Sequence, residues 1–233
     1  MSIIDWDSND PFGLQETEEE RRHQRMVQEA IRRKRRKFVS PAEAHKDNLL
    51  LQSEDFTAIW TEGATAATMV AAASPSYDGG SRASILVDNG ATGTGNTVSV
   101  IQTVTVLAST VYCISFRAKK KGANFAFLNV TGLGAKAISA YFDLDTGAVG
   151  ATLGANNTTQ GIIDEGDGFY RGYVVFTSDA SDTSGAINLH VADANNDHVV
   201  TLDGASDIYI GDTQLEADVI LPTRYTKTTS VAV

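Results

Sequence analysis

Two spacings of apolar residues divide this chain of 233 residues. Between residues 15 and 38, apolar side chains recur every three or four positions, which is the spacing of one helix face. From residue 97 onwards, short runs rich in β-branched and aromatic residues are separated by Gly, Asn and Asp. Such runs are typical of strands joined by tight turns. The sequence therefore predicts a short helical part followed by a β domain.

The β part is predicted to contain about ten strands and no helix. The runs that can be bounded are Thr97–Leu107, Val111–Ala118, Asn124–Val130, Ala137–Leu144, Phe169–Thr177, Ala186–Ala192 and Asp207–Leu215. Asn89-Gly90 and Asp203-Gly204 are among the turn signals, because these residues accept positive φ. No repeat with the period of a propeller or a solenoid is present. We predict a jelly-roll β-sandwich.

The helical pattern extends from about Gln15 to Lys37. Thr17 and Glu20 have the spacing of a capping box at its start. Glutamates lie in its first turn and the basic run Arg32–Lys37 lies in its last turn, so both ends complement the helix dipole. The apolar stripe consists of Met26, Val27, Ala30, Ile31 and Phe38. This narrow stripe favours a docking surface or a small bundle over an independent domain.

Charge divides the chain at the end of this helix. Residues 1–46 contain 10 of the 19 basic and 9 of the 29 acidic side chains, so their net charge is +1. Residues 47–233 contain the remainder and have a net charge of −11. We therefore predict an N-terminal α-helical anchor arm, residues 1–46, and a β-sandwich, residues 47–233.

The segment before the helix is unusually apolar for a free tail. Such a peptide is typical of a segment that becomes ordered on a partner, although packing on its own domain is an alternative. Together with the helix stripe it gives the predicted partner-binding residues, which are Ile3, Ile4, Trp6, Phe12, Leu14, Met26, Val27 and Ile31.

Several classes of function are disfavoured. Cys113 is the one cysteine, so an intrachain disulfide is excluded. No apolar run approaches the ~20 residues of a membrane-spanning helix, so we expect a soluble protein without a membrane partner. Gly-x-Ser-x-Gly, His-Glu-x-x-His and phosphate-loop motifs do not occur. We therefore expect neither an enzyme nor a cofactor.

Three kinds of ligand remain to be weighed. Calcium would need oxygen ligands from a loop, either Asp193, Asn195 and Asp197 or Asp164, Glu165 and Asp167, but Asx turns are the favoured interpretation and no metal site is predicted. His190 and His198 flank the first of these loops. The basic run Arg32–Lys37 is suited to an acidic protein surface more than to nucleic acid, because no aromatic residues are interleaved with it.

Sugar binding would need an aromatic platform with amide and carboxylate neighbours. Trp60 is expected in the core together with Phe56. The remaining aromatic candidates are Tyr77, Tyr141, Tyr173, Tyr209 and Tyr225. At strand spacing most of these are expected to be core or rim residues, so the residues alone do not favour glycan binding.

Five stretches of the β part match, in order, the motifs of one domain. They are Asn48–Phe56 with Trp60, Ile101–Val106 with Val111–Tyr112 and Ser115–Lys119, Phe142–Gly147, Gly168–Arg171 and the closing pair Gly211–Glu216 and Pro222–Tyr225. They resemble the Asn-Leu-Leu opening, a strand pair that ends in Ser-x-x-Ala-Lys, the Phe-Asp-Leu-x-Thr-Gly hairpin, the Gly-Trp-Tyr-Arg turn (with Phe169 for the usual Trp) and the Gln-Leu-Glu…Pro-Thr-x-Tyr ending of a domain found in bacteriophage structural proteins. Arg171 is expected to pair with Glu216 or a nearby Asp.

The resemblance implies a jelly roll like the carbohydrate-binding modules of glycoside hydrolases, carried on tail fibres, tail spikes or head fibres. It implies a virion structural protein whose partners are capsid, portal or tail-adaptor proteins. A homo-oligomer, with a trimer favoured, is the expected state. The alternative is a glycan-binding module for host-surface recognition on a tail fibre or spike.

Overall fold

The computed structural model of the chain describes residues 46–63, 67–74, 83–90, 96–134, 138–154, 157–181 and 183–229. All of these residues belong to one unit, Glu43–Val233. They form twelve strands and no helix, and accordingly they include no helix long and apolar enough to cross a membrane. The predicted helix from Gln15 to Lys37 lies outside the described residues.

The strands alternate with turns along the whole described chain. Their bounds are β1 Thr61–Gly63, β2 Ala67–Ser74, β3 Ala83–Asp88, β4 Ser99–Thr105, β5 Val111–Lys120, β6 Phe125–Thr131, β7 Ile138–Asp143, β8 Ala148–Leu153, β9 Asn157–Gly166, β10 Phe169–Thr177, β11 Ser184–Ala192 and β12 Asp207–Ala217. The seven strands bounded from the sequence correspond to β4–β7 and β10–β12, with each end within two residues.

The strands form two six-stranded sheets. Sheet A has the order β1-β4-β11-β6-β7-β8, and sheet B has the order β2-β3-β12-β5-β10-β9. Every pairing between neighbours is antiparallel. The mainly β class and the two-sheet sandwich are confirmed, and the arrangement is consistent with a jelly roll.

Alternation along each strand places one set of side chains in the core between the sheets. In β6, Ala126, Leu128 and Val130 are buried there, whereas Phe127 points to the opposite face and packs in a separate cluster. Phe116 of sheet B and Phe142 of sheet A meet edge to face with ring centroids 5.5 Å apart. This aromatic contact joins the two sheets at the centre of the core.

The two ends of the described chain lie against the last strand, β12. We call residues 46–53 the lead segment and residues 218–229 the strap. Asn48, which is fully buried, joins them through all four hydrogen-bonding positions of its side-chain amide. Its Nδ2 donates to the carbonyls of Thr213 and Thr226, both at 3.0 Å, and its Oδ1 accepts from the amides of Leu50 and Leu215, both at 3.1 Å.

The lead segment also contacts sheet A, so it bridges the two sheets. The Gln102 side chain on β4 accepts a hydrogen bond from the Leu51 amide at 2.9 Å and donates to the Leu51 carbonyl at 2.7 Å. Just beyond this segment, Phe56 and Trp60 are 1 % and 4 % exposed and pack together in the core. Their predicted place in the core is confirmed.

The strap is held against the outward face of sheet B by a buried polar network. Arg171 on β10 donates to Ser115 Oγ at 2.9 Å and to the Thr223 carbonyl at 2.6 Å. Thr223 in turn donates its amide, at 3.1 Å, and its hydroxyl to the carboxylate of Glu216. Arg171 and Glu216 are therefore linked through Thr223, whereas the sequence predicted a direct pair.

A second arginine beside this network is also neutralised. Arg117 pairs with Glu165 and, at 2.5 Å, with Asp212, and its guanidinium lies 5.6 Å from the centroid of the Tyr225 ring. Buried charges are tolerated when they are paired in this way. Cys113 packs on the same face, and burial raises the pKa of its thiol to about 12.

Replacing Asn48 should weaken the fold strongly. Asn48→Leu leaves two buried amides and two carbonyls without their partner, and each buried unsatisfied group costs about 1–3 kcal/mol. We expect the free energy of unfolding, measured by urea titration, to fall by at least about 3 kcal/mol. The matched control is Asn129→Leu, whose half-buried amide makes no side-chain hydrogen bond within the described residues, and it should cost less than about 1 kcal/mol. Equal losses in the two variants would contradict the role given to Asn48.

Candidate functional site

The residues predicted to bind a partner cannot be placed. Ile3, Ile4, Trp6, Phe12, Leu14, Met26, Val27 and Ile31 all lie outside the described residues. The same is true of His23, His45 and Tyr77. Their roles stay predictions from the sequence.

The loops considered for calcium use their side chains within the fold. Asp164 accepts a hydrogen bond from the Gly166 amide at 2.9 Å, and Asp197 accepts one from the Val199 amide at 3.0 Å. These are Asx turns, which was the favoured interpretation. Glu165 pairs with Arg117. Across the described ranges, no group of three His, Cys, Asp or Glu is placed to hold a metal ion.

The tyrosines considered for sugar stacking are covered to different degrees. Tyr141 is fully buried, Tyr173 is 9 % exposed, and Tyr209 and Tyr225 are half-buried. The exposed large apolar side chains of the described residues are all aliphatic, namely Ile59, Leu107, Ile163, Val199, Ile220 and Leu221. The part of the chain that the structure describes therefore presents no open aromatic platform.

One group of aromatic and imidazole rings lies on the outward face of sheet A. Strand register places His190 of β11 opposite Phe127 of β6, and Phe127 opposite Tyr141 of β7. His198, from the loop that follows β11, lies over these three side chains. We call Phe127, Tyr141, His190 and His198 the aromatic–histidine cluster.

Phe127 is the central ring of the cluster. It stacks on Tyr141 with centroids 4.3 Å apart and on His198 at 4.7 Å, and it lies 5.3 Å from His190. The two imidazoles are 5.4 Å apart and nearly perpendicular. The Tyr141 hydroxyl is hydrogen-bonded to His198 Nδ1 at 2.9 Å. The Phe127 ring therefore holds the His198 ring by stacking, and the Tyr141 hydroxyl holds it by a hydrogen bond.

Residues 193–200, which we call the covering loop, bring His198 to this position. The loop is closed on itself by a bridge between Ala194 and Asp197 and is joined at its end to Asn96 through Val200. Asn195 Oδ1 accepts the Ala151 amide of β8 at 2.6 Å. Gly150 permits this approach, because a Cβ there would lie 2.5 Å from the same oxygen.

Burial shifts the pKa values of two groups in the cluster, His190 and Tyr141. Desolvation, with a smaller contribution from His198, lowers the pKa of His190 to about 3. Desolvation, with a smaller contribution from Asp197, raises the pKa of Tyr141. At neutral pH both groups are therefore uncharged. Phe127, Tyr141 and His190 therefore form a closed layer of uncharged rings beneath His198.

Sequence reasoning noted the two histidines and Tyr141 separately, but it missed Phe127 and the contacts that join these side chains. The available signal was in β6, where Phe125 and Phe127 occupy the phase opposite to Ala126, Leu128 and Val130. Aromatic residues on the outward phase of a strand indicate a second packed face. Which residues of β7 and β11 they contact depends on strand register, which the sequence did not define.

Comparison with known proteins gave similarities of structure only. No family model and no curated protein matches the sequence. The enzymatically active domain of tailspike protein 4 of bacteriophage CBA120 is similar at 17% identity and a TM-score of 0.43, over 73% of this chain and 21% of that chain. This protein therefore spans about a fifth of the tailspike chain.

Two carbohydrate-binding modules are similar at comparable levels. TmCBM61, solved with β-1,4-galactotriose, shares 14% identity over 73% of this chain and 99% of that module, with a TM-score of 0.44. The CBM22-1 xylan-binding domain of Paenibacillus barcinonensis Xyn10C shares 15% identity over 74% of this chain and 95% of that domain, with a TM-score of 0.41.

Removing the Tyr141 hydroxyl should loosen the covering loop. Tyr141→Phe keeps the ring stack on Phe127 but loses the hydrogen bond to His198, which is worth about 0.5–1.5 kcal/mol. We expect a loss of unfolding free energy of that size in urea titration. Tyr209→Phe is the matched control, since the Tyr209 hydroxyl makes no hydrogen bond within the described residues, and it should cost less than about 0.5 kcal/mol. A control that loses as much as Tyr141→Phe would contradict this account of the loop.

Proposed function

We propose that this protein is a structural component of a bacteriophage virion. In this proposal residues 1–46 attach the protein to the capsid, the portal or the tail, and the β-sandwich is displayed outward. An adaptor, a short fibre and a capsid decoration protein are the proposed forms. No catalytic role is proposed.

The observation that carries the proposal is the convergence of the two chain ends. The Gln52 amide donates to the Thr229 carbonyl at 2.8 Å, and the Thr226 hydroxyl donates to the Lys46 carbonyl at 3.4 Å. The described chain therefore enters and leaves the sandwich at one place beside β12. A domain attached to a particle through residue 46 would be held at that single place, with its remaining surface free.

The motifs that resemble phage structural domains support the same proposal. Asn48, Arg171, Glu216, Thr223 and Tyr225 belong to three separate stretches of the resemblance, the first, the fourth and the closing pair. In the structure these residues meet on β12 and the strap, through the bonds that hold both chain ends. Residues from separate motifs therefore take part in the bonds that close the sandwich. This is expected if the resemblance reflects a shared fold.

The charge of the two parts also fits display on a particle. The sandwich residues 47–233 have a net charge of −11, which favours solubility at high copy number. The basic run Arg32–Lys37 precedes the sandwich and is suited to an acidic protein surface. Virion proteins are the proposed partners, the virion is the proposed location, and a trimer is the proposed oligomer.

A glycan-binding module is the second candidate, and one observation favours it. Beside the aromatic–histidine cluster, strand register aligns Ile101, Asn188, Asn129 and Ser139 across the outward face of sheet A. Amide and hydroxyl groups next to aromatic rings are the side chains that sugar recognition uses. However, the rings of the cluster are covered, and a sugar could not stack on them in this structure. The observation for glycan binding is therefore weaker than the observation for display on a particle.

Particle labelling tests the proposal. Virions of the phage that encodes the protein should be labelled by gold-conjugated antibody against residues 47–233. The double variant Trp6→Asp and Ile31→Asp should reduce incorporation more than tenfold, because it places charges on the predicted apolar anchor while leaving the sandwich unchanged. The matched control is Ile220→Asp, at a side chain of the sandwich that is 71 % exposed, and it should be incorporated normally.

The outcomes separate the two candidates. Label over the shell indicates a decoration protein or head fibre, and label at one vertex indicates a portal or tail component. Unlabelled virions would contradict the virion proposal. Normal incorporation of the anchor variant would contradict the role of residues 1–46, and saturable binding of the full chain on a glycan array would favour the second candidate.

A further inference from the structure

His190 is a buried polar side chain without a polar partner. It is 8 % exposed, and neither ring nitrogen has a hydrogen-bond partner within the described residues. Buried polar groups in native proteins are nearly always hydrogen-bonded, so this exception requires a physical account. An imidazole that is buried without partners is stable when neutral and unstable when it carries a proton.

The groups that face His190 would not stabilise a proton on it. On β4 its register neighbour is Ser99, whose hydroxyl is directed to the Gly63 carbonyl at 3.4 Å. On β6 its neighbour is Phe127, and beyond it on β7 lies the neutral Tyr141. From the covering loop, His198 lies beside it. Desolvation lowers the pKa of His190 to about 3, and His198 contributes a smaller part of that shift. Of the two acids of the loop, Asp197 acts on Tyr141 and accepts the Val199 amide, and Asp193 accepts the Ser206 hydroxyl at 3.2 Å.

The covering loop has few attachments to the sheet. Residues 193–197 and Val199 are exposed and His198 is half-buried, whereas Val200 at the end of the loop is buried in the core, so the part that can open is residues 193–199. Toward sheet A, the loop is held by the His198 ring, by the hydrogen bond from Tyr141 and by the bond between Asn195 and the Ala151 amide. Exposed segments with few buried contacts open at lower free energy than the core does. Opening of this loop would bring His190 into contact with water.

We propose that residues 193–199 of the covering loop are an acid-released cover, in which protonation of His190 displaces His198 and exposes the aromatic face formed by Phe127 and Tyr141. The step is a reversible uptake of one proton from solvent, which forms an N–H bond on the His190 imidazole and breaks no bond in the protein. It goes beyond display on a particle, because it makes a second surface of the sandwich depend on pH.

The direction of the effect follows from the two pKa values of the same group. With the loop closed, His190 takes up a proton only near pH 3, whereas an exposed histidine takes one up near pH 6.5. Opening therefore binds a proton at every pH between these values. The opening equilibrium should rise about tenfold for each pH unit below about 6.5, which is roughly 100-fold by pH 4.5. Above pH 7 it should not change.

Amide hydrogen exchange measured by NMR on the full chain tests this inference. The Ala151 amide reports the loop, because its acceptor is Asn195 Oδ1. After correction for the intrinsic rate at each pH, its protection factor should fall roughly 50-fold between pH 6.5 and pH 4.5, because the opening equilibrium has already doubled at pH 6.5. The Gly166 amide, bonded to Asp164 Oδ1 in a turn without histidine, serves as the internal control and should not follow this change.

Three variants assign the effect to one side chain. His190→Phe keeps a flat ring that does not titrate, and it should abolish the pH dependence at Ala151. His190→Gln should do the same and covers the case in which the Phe variant folds poorly. His198→Phe should retain the dependence, because His190 remains buried beneath the replacement ring.

Three results would contradict the proposed acid release of the covering loop. A pH dependence that survives in both His190 variants would overturn the proposal and would assign the effect to the acids of the loop. A constant protection factor in the unaltered protein would also overturn it. A parallel fall at Ala151 and Gly166 would indicate general acid unfolding and would overturn it as well.

Discussion

The side-chain amide of Asn48 is the constraint on which the two ends of the sandwich depend. Its four hydrogen bonds reach Leu50 in the lead segment, Thr213 and Leu215 in β12, and Thr226 in the strap. A carboxamide has two donors and two lone-pair acceptors, so the inventory of Asn48 is completely used. No apolar residue could replace it, because the peptide groups it satisfies are buried with it. The lead segment and the strap are therefore part of the fold.

The outward faces of the two sheets are closed by different physical means. On sheet B, the strap is held by charged groups whose partners are supplied in full, as in the chain of bonds from Arg171 through Thr223 to Glu216. On sheet A, the covering loop is held by stacked rings and few hydrogen bonds, above an imidazole that has no hydrogen-bond partner among the described residues. A satisfied buried network gives a fixed structure, whereas a buried unpartnered titratable group makes the structure sensitive to pH. We therefore expect the sheet B face to be permanent and the sheet A face to be adjustable.

The sequence predicted the strands of the sandwich best where their composition is typical of β-strands. β4–β7 and β10–β12 are rich in β-branched and aromatic residues, and their bounds followed from that pattern. β9 was not bounded, because its polar sequence with Gly161 looks like a turn. In the structure the Tyr173 ring lies over Gly161, where a Cβ would approach within 2.4 Å. The glycine in this edge strand is required by the Tyr173 ring of the neighbouring strand, and a local sequence pattern does not reveal that contact.

The candidate site was less predictable than the fold, for a related reason. The place of Phe56 and Trp60 in the core followed from their apolar character. The meeting of Phe127, Tyr141 and His190 depends on the register of three strands that are far apart in sequence. The bond from Thr223 to Glu216 depends on the path of the strap, for which a pairing of charges was the nearest sequence signal. Contacts that require register or chain path lie beyond local sequence patterns.

Native-state hydrogen exchange in low urea is the measurement that tests the account most directly. The Leu49 amide donates to Leu215 and the Thr228 amide donates to Ser53 Oγ, so both report the attachment of the chain ends. The account predicts that they exchange only through global unfolding, with the same opening free energy and the same urea dependence as the Ile114 amide in the centre of β5. Exchange of Leu49 and Thr228 at a much lower opening free energy, while Ile114 stays protected, would contradict it. The chain ends would then detach while the sandwich stays folded.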